Sequence, residues 1–97
     1  MKISNYIRYL LRKWDKSGYS AFSINVGNCD SFAQELQDRF PRGRAMWGED
    51  YPEYFNGEVI SGHCFFKYGK KFYDSESPKG TITPYDLKYY QRAVKKN

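Results

Sequence analysis

Residues 58–76 read EVISGHCFFKYGKKFYDSE, and this stretch decides the fold. It contains two runs rich in aromatic and β-branched residues, 58–68 and 71–76, separated by Gly69 and Lys70. Such residues favour strands, and two strands joined by a two-residue loop that contains Gly form a β-hairpin. The sequence therefore predicts an antiparallel sheet built around this hairpin.

Three amphipathic segments outside the hairpin predict helices. Residues 3–14 place apolar side chains at helical spacing. Residues 84–95 come directly after Thr83, a possible N-cap, begin with Pro84 in the first turn and end in a basic turn. Residues 28–40 begin at Asn28, a favourable N-cap, and stop before Pro41. We therefore expect one α+β domain over residues 1–97, with an antiparallel sheet of about three strands packed against helices.

Three further segments show no clear period. Residues 19–26 are predicted to be extended or irregular, and residues 41–57 to form a long loop with a short helical turn. Residues 77–80, Ser-Pro-Lys-Gly, are expected to break the second strand. The predicted framework therefore consists of the hairpin and three helices.

Composition and charge limit the class of protein. No run approaches the roughly 18 apolar residues of a membrane span, and no apolar signal-peptide block is visible, so we expect a cytoplasmic protein without membrane association. Both cysteines are expected to be free thiols. The net charge of +5 comes from basic terminal segments, which are more typical of solvated helix faces than of nucleic-acid binding.

Cys29, His63 and Asp74 form the constellation with the clearest chemistry. Cys29 lies in the first turn of the predicted helix, where unpaired N–H groups and the positive end of the helix dipole stabilise a thiolate. If the hairpin loop has two residues, His63 and Asp74 share a sheet face as diagonal neighbours. A loop of odd length would place Asp74 on the opposite face.

These three side chains are the types that a cysteine hydrolase requires. Its thiolate attacks, its imidazole transfers protons, and a third group orients the imidazole. Each residue alone is also typical of a packed core, because cysteine behaves as a small apolar side chain and a strand histidine is often buried by packing. Their combination in the expected secondary structure favours a catalytic triad.

Other residues are predicted to surround the triad. The candidates for oxyanion binding and support are Asn25, Asn28, Tyr19 and, as reserve partner of the imidazole, Glu76. The predicted walls of the substrate cleft are Trp47 and Tyr51. Cys64 points to the opposite sheet face from His63 and is predicted to be core. No closely spaced ligand pair of the usual zinc type is present, so we expect no metal ion and no cofactor.

Residues 27–33, 62–66 and 72–74 read GNCDSFA, GHCFF and FYD. Together they resemble the papain-like cysteine protease and amidase superfamily, especially its small transglutaminase-like and cell-wall-amidase-like branches. The resemblance covers residues 27–76. It implies a papain-like core in which a cysteine heads a helix packed on an antiparallel sheet, with Cys29 as nucleophile, His63 as base and Asp74 as third member.

The sequence therefore favours a hydrolase or acyltransferase of thiol-protease type, acting on an amide or thioester in a protein or peptide substrate. The small, basic and tyrosine-rich chain resembles phage-encoded proteins in composition. One alternative is a protein-interaction module without catalysis, such as a phage-type inhibitor of a host factor on the same scaffold. A second alternative is a nucleic-acid binder. No oligomeric state is predicted.

Overall fold

A computed structural model describes residues 1–55, 57 and 62–95. Within them the chain forms four α-helices and four strands. In chain order these are α1 Ile3–Asp15, α2 Ala21–Gly27, α3 Cys29–Arg39, β1 Arg44–Trp47, β2 Cys64–Tyr68, β3 Lys71–Asp74, β4 Ser77–Thr81 and α4 Lys88–Lys95. Short 3-10 turns span Gly48–Asp50, Pro52–Phe55 and Pro84–Asp86. The predicted α+β class is confirmed.

The described strands form one antiparallel sheet in the order β1-β2-β3-β4. Strand β2 lies inside it, and its consecutive Phe65 and Phe66 point to opposite faces, as the pleat requires. Phe66 packs with residues of α1 and α3, whereas Phe65 packs with Tyr90 of α4 and with Leu87 just before it. Apolar side chains therefore cover both faces, which holds the sheet between two clusters.

The hairpin has the loop length on which the predicted site depends. Tyr68 pairs with Lys71 and Phe66 with Tyr73, so the loop consists of Gly69 and Lys70 alone. Gly69 has a φ of 62°, a left-handed conformation that glycine adopts without strain. The side-chain parity of the two strands is therefore the one that places residue 63 on the same face as residue 74.

Two short edge strands were not predicted. Strand β1 lies within the segment predicted as a long loop, and two 3-10 turns follow it where one short helical turn was expected. Strand β4 occupies residues 77–81, where Pro and Gly were expected to stop pairing; Pro78 is tolerated because β4 lies at the sheet edge. Neither strand has an alternating apolar pattern that would mark it in the sequence. The sheet therefore has four strands where about three were expected.

The irregular conformation predicted for residues 19–26 is wrong, because most of them form α2. Ser20 accepts a hydrogen bond from the backbone N–H of Ser23, and the Ser23 side chain accepts one from the N–H of Ser20. This reciprocal capping box starts a helix of only seven residues. So short a helix leaves too few turns for a helical period to be visible in the sequence.

The three predicted helices are present with small changes of boundary. The final segment starts with a 3-10 turn, and its α-helix begins at Lys88, after the predicted residue 84. The predicted strand 71–76 ends earlier, at Asp74, and residues 58–61 of the other predicted strand lie outside the described residues. None of the described helices has the length and apolar character needed to cross a membrane.

Candidate active site

Cys29 is the first residue of α3, and its side chain is nearly buried, at 8% exposure. Its Sγ accepts a hydrogen bond from the backbone N–H of Cys64, at 3.3 Å, which fastens the helix start to the beginning of β2. Asn28 precedes the helix as predicted, but its side chain makes no capping hydrogen bond. The first N–H groups of α3 are therefore not occupied by Asn28.

His63 and Asp74 form a buried pair at the end of the hairpin. His63 Nε2 lies 3.0 Å from Asp74 Oδ2, and the two residues are 0% and 3% exposed. A carboxylate only accepts hydrogen bonds, so Nε2 carries the hydrogen in this pair. The neutral ring then has its lone pair at Nδ1. Nδ1 is thus the nitrogen that can take a proton from a thiol.

The thiol of Cys29 and the ring of His63 change each other's pKa in opposite directions. Burial opposes the thiolate, but hydrogen bonding with His63, the N–H of Cys64 and the positive ring hold the Cys29 pKa below its ordinary value. Burial also opposes the charged ring, but hydrogen bonding with Asp74 and Cys29 and their negative charges keep the His63 pKa above its ordinary value. Together these shifts favour a thiolate and imidazolium pair.

The contact between the ring and the thiol is looser than the contact with Asp74. Nδ1 has no hydrogen bond of full geometry to any described residue, although His63 lies close enough to lower the Cys29 pKa. Catalytic hydrogen bonds are often long in the absence of substrate and tighten when it binds. His63 is therefore a close neighbour of Cys29, but no hydrogen bond of full geometry joins Nδ1 to Sγ.

Cys64 provides a contrast within the same cluster. It packs with Cys29 and Ala33, and it is buried, at 3% exposure. Burial, followed by the negative charges of Cys29 and Asp30, raises the Cys64 pKa to about 12. At neutral pH Cys64 is thus a protonated thiol, as expected for a core residue, and the pKa values of the two cysteines are shifted in opposite directions.

Glu76 supports the triad indirectly, through a hydrogen bond to Asp74. Its backbone N–H donates to Asp74 Oδ1 at 3.0 Å, which fixes the carboxylate that holds His63. Its own carboxylate accepts from Asn25 on α2 and from both terminal nitrogens of Arg92 on α4. Glu76 does not bond to the imidazole, so the structure uses it to join α2, the hairpin and α4.

Two tyrosines that the sequence did not mark cover the imidazole. The Tyr89 ring stacks on the His63 ring, with centroids 4.1 Å apart and planes 11° from parallel. The Tyr90 ring meets the imidazole edge-on at 5.4 Å. The aromatic pair in α4 was the available signal, but helical spacing alone does not show that it faces the hairpin end.

The structure places the other predicted site residues in different regions. Trp47 pairs with Cys64 across β1 and β2 and is 39% exposed, so it lies beside the thiol cluster, which consists of Cys29, Ala33 and Cys64. Tyr51 instead lines a separate groove with Tyr54. Tyr19 packs edge-on against Trp14, at 5.1 Å, beside Glu35. Asn25 is engaged with Glu76. Of these residues, only Trp47 stands beside the thiol cluster.

The possible metal ligands in the described part of the chain do not form a metal-binding cluster. No group of three or more His, Cys, Asp or Glu side chains there is arranged to hold a metal ion. His63 and Asp74 are instead bonded to each other, and Cys29 and Asp74 each accept a hydrogen bond from a backbone N–H group.

Comparison with known proteins found no family model, curated protein or solved structure that matches this chain. The resemblance of residues 27–76 to the papain-like superfamily therefore stays a prediction. What the structure adds is a specific geometry: a helix-start thiol, a buried imidazole and a carboxylate on its far nitrogen.

Glu76→Gln is expected to lower stability at pH 7 by about 1–2 kcal/mol, because it removes the charge that Arg92 pairs with. Hydrogen bonds from Arg92 and Asn25 keep the Glu76 pKa below its ordinary value, although burial opposes this. The stabilisation is therefore present above the unfolded pKa and lost as pH falls through the folded one. Urea unfolding at pH 7 and at pH 3 measures both limits.

The matched control is Asp50→Asn, which likewise replaces a carboxylate by its amide, at an exposed position. It should change stability little at either pH. If Glu76→Gln costs as much at pH 3 as at pH 7, the Glu76 charge is not what stabilises this end of the fold.

Proposed function

We propose that the protein is a cysteine hydrolase or acyltransferase that acts on amides or thioesters through Cys29, His63 and Asp74. The observation that carries the proposal is the buried 3.0 Å bond between His63 Nε2 and Asp74 Oδ2, which leaves Nδ1 for the neighbouring Cys29. The lowered pKa of Cys29 and the raised pKa of His63 support the same assignment.

In the proposed reaction the Cys29 thiolate attacks the substrate carbonyl carbon, and a C–S bond forms while the carbonyl oxygen becomes an oxyanion. The tetrahedral intermediate collapses, the bond to the amine or thiol leaving group breaks, and Nδ1 of His63 gives that group its proton. Water or an amine then attacks the thioacyl carbon. His63 takes its proton, and the C–S bond breaks to restore the thiolate.

Asp74 and the start of α3 support these steps in different ways. The Asp74 carboxylate keeps the hydrogen on Nε2 and stabilises the imidazolium between the two proton transfers. The first backbone N–H groups of α3 are the candidate oxyanion donors, since the helix itself leaves them unpaired and Asn28 does not cap them. This assigns the oxyanion role to main chain and removes the need for Tyr19 or Asn25.

Substrate is expected to approach at the end of the sheet where Trp47 is exposed. Trp47 lies across from Cys64, whose N–H holds the Cys29 sulfur, and Trp47 is 39% exposed. The His63 ring is covered by Tyr89 and Tyr90.

An activated ester tests the proposed thioacyl intermediate. With p-nitrophenyl acetate, the protein should release one equivalent of nitrophenolate in a rapid phase and carry an acetyl group on Cys29, identified by peptide mass spectrometry. Cys64→Ser should behave like the parent protein, whereas Cys29→Ser should give no rapid phase. Equal acetylation of both cysteines, or none, would favour the protein-interaction module instead.

A further inference from the structure

A second candidate site lies on the sheet face opposite α3. It is a groove of about 380 Å³, within the range of roughly 300–1,000 Å³ that small-molecule pockets occupy. We call it the basic groove, and its polar and aromatic lining residues are Arg42, Arg44, Lys67, Tyr51, Tyr54 and Glu53. Three cations face one carboxylate there, so the groove has an excess of positive charge.

Two of these cations occupy a position that folding alone does not favour. Arg44 on β1 and Lys67 on β2 are direct cross-strand partners, and they share a face because Met46 and Phe65 are the next pair on it. Like charges directly opposite each other in an antiparallel pair are destabilising. An anion bound between Arg44 and Lys67 would attract both side chains and offset their mutual repulsion.

No protein carboxylate neutralises the pair within the described part of the chain. The ion pairs found there join Lys13 to Glu35, His63 to Asp74 and Arg92 to Glu76. None of them involves a cation of the basic groove. The groove therefore keeps its charges available to a ligand.

The aromatic wall indicates what kind of anion fits. Tyr54 is anchored by edge-on packing against Phe72, at 5.4 Å, and Tyr51 leans on it with centroids 6.2 Å apart. Both tyrosines are partly exposed. Tyrosine rings offer flat surfaces on which a nucleobase stacks, and Arg and Lys bind phosphate by charge-assisted hydrogen bonds.

We propose that the basic groove binds a mononucleotide, with its phosphate between Arg44 and Lys67 and its base against Tyr51. The rim carboxylate Glu53 would then lie among the polar groups of the sugar and base. The site is independent of the proposed thiol chemistry, since Cys29 packs on the other face of the sheet with Ala33 and Cys64. Loss of one function would leave the other.

Isothermal titration with adenosine monophosphate at low ionic strength tests the proposal. Binding is expected in the parent protein and equally in Cys29→Ser. Arg44→Gln and Lys67→Gln should each weaken it about tenfold, the effect of one charge-assisted hydrogen bond. Arg12→Gln, which removes the same charge from an exposed position on α1, should not weaken it.

The melting temperature of the free protein gives a readout that does not depend on the ligand. Because each groove variant removes one of two opposed like charges, Arg44→Gln and Lys67→Gln should unfold at the same or a higher temperature than the parent. A variant that stays folded and no longer binds would show that Arg44 or Lys67 serves binding and is not needed for folding.

Three results would overturn the proposal. The first is no binding of the nucleotide, or binding that the groove variants leave unchanged. The second is inorganic phosphate binding as tightly as the nucleotide, which would remove the role of the tyrosines. The third is a short oligoadenylate binding far more tightly, with steep salt dependence, which would assign the groove to a nucleic-acid strand.

Discussion

Iodoacetamide is expected to alkylate Cys29 at pH 6 about tenfold faster than it alkylates the same residue in His63→Ala. A thiol of ordinary pKa has very little thiolate at this pH, whereas the interaction with His63 lowers the Cys29 pKa against the cost of burial and so raises its thiolate fraction. The increase in alkylation rate is smaller than the increase in thiolate fraction, because a thiolate of lower pKa is a weaker nucleophile. Peptide mass spectrometry over a time course gives the rate at each cysteine.

The pH profile separates activation of the thiol from simple exposure. In the parent protein the alkylation rate should rise through a pKa below that of a free cysteine, and in His63→Ala this rise should move to higher pH. Cys64 serves as the internal control, since burial and nearby negative charge raise its pKa to about 12. Similar rates at the two cysteines, or an unchanged profile in His63→Ala, would contradict the thiolate and imidazolium pair.

Asp74→Asn is expected to lower the pKa of His63 and slow Cys29 alkylation while the protein stays folded. Burial opposes the charged ring, and the Asp74 hydrogen bond is the largest effect that raises its pKa, followed by the hydrogen bond with Cys29 and the charge of Asp74. An amide oxygen can still accept from Nε2, but it supplies no charge. The chain has a single histidine, so NMR titration of its ring resonances reports this pKa without assignment by mutagenesis.

The effect on stability has a defined direction with pH. A folded pKa above the unfolded value of 6.5 means that the charged ring stabilises the fold at pH below 6.5, and this contribution disappears as pH rises through the folded value. Asp74→Asn should therefore cost most at acid pH. Asp74→Ala should cost more, about 3–5 kcal/mol, because it leaves the buried ring without a partner. An unchanged His63 pKa in Asp74→Asn would remove Asp74 from the proposed triad.

The parts of the fold that the sequence predicted are those with a clear period or turn. The hairpin could be predicted because Gly69 and Lys70 interrupt two aromatic runs, and α3 because Phe32, Ala33, Leu36 and Phe40 lie on one face. Strands β1 and β4 could not, since they are held at the sheet edges by pairing with β2 and β3 and have no pattern of their own.

The site divides in the same way. The proximity of His63 and Asp74 follows from local geometry, because a two-residue loop fixes which side chains share a face. The cover of Tyr89 over the imidazole depends on how α4 docks against the sheet, and the role of Glu76 depends on α2. Tertiary packing decides both, so sequence spacing carries no signal for them.

The long sequence separations within the site set the order in which it is completed. The N–H of Cys64 that binds the Cys29 sulfur lies 35 residues further along the chain, and the bond from Asn25 to Glu76 spans 51 residues. Contacts across such distances require large loops to close and form late in folding. A growing chain that has not reached His63 and Asp74 thus lacks the partners that lower the Cys29 pKa, and the proposed thiolate can form only after these residues have been added.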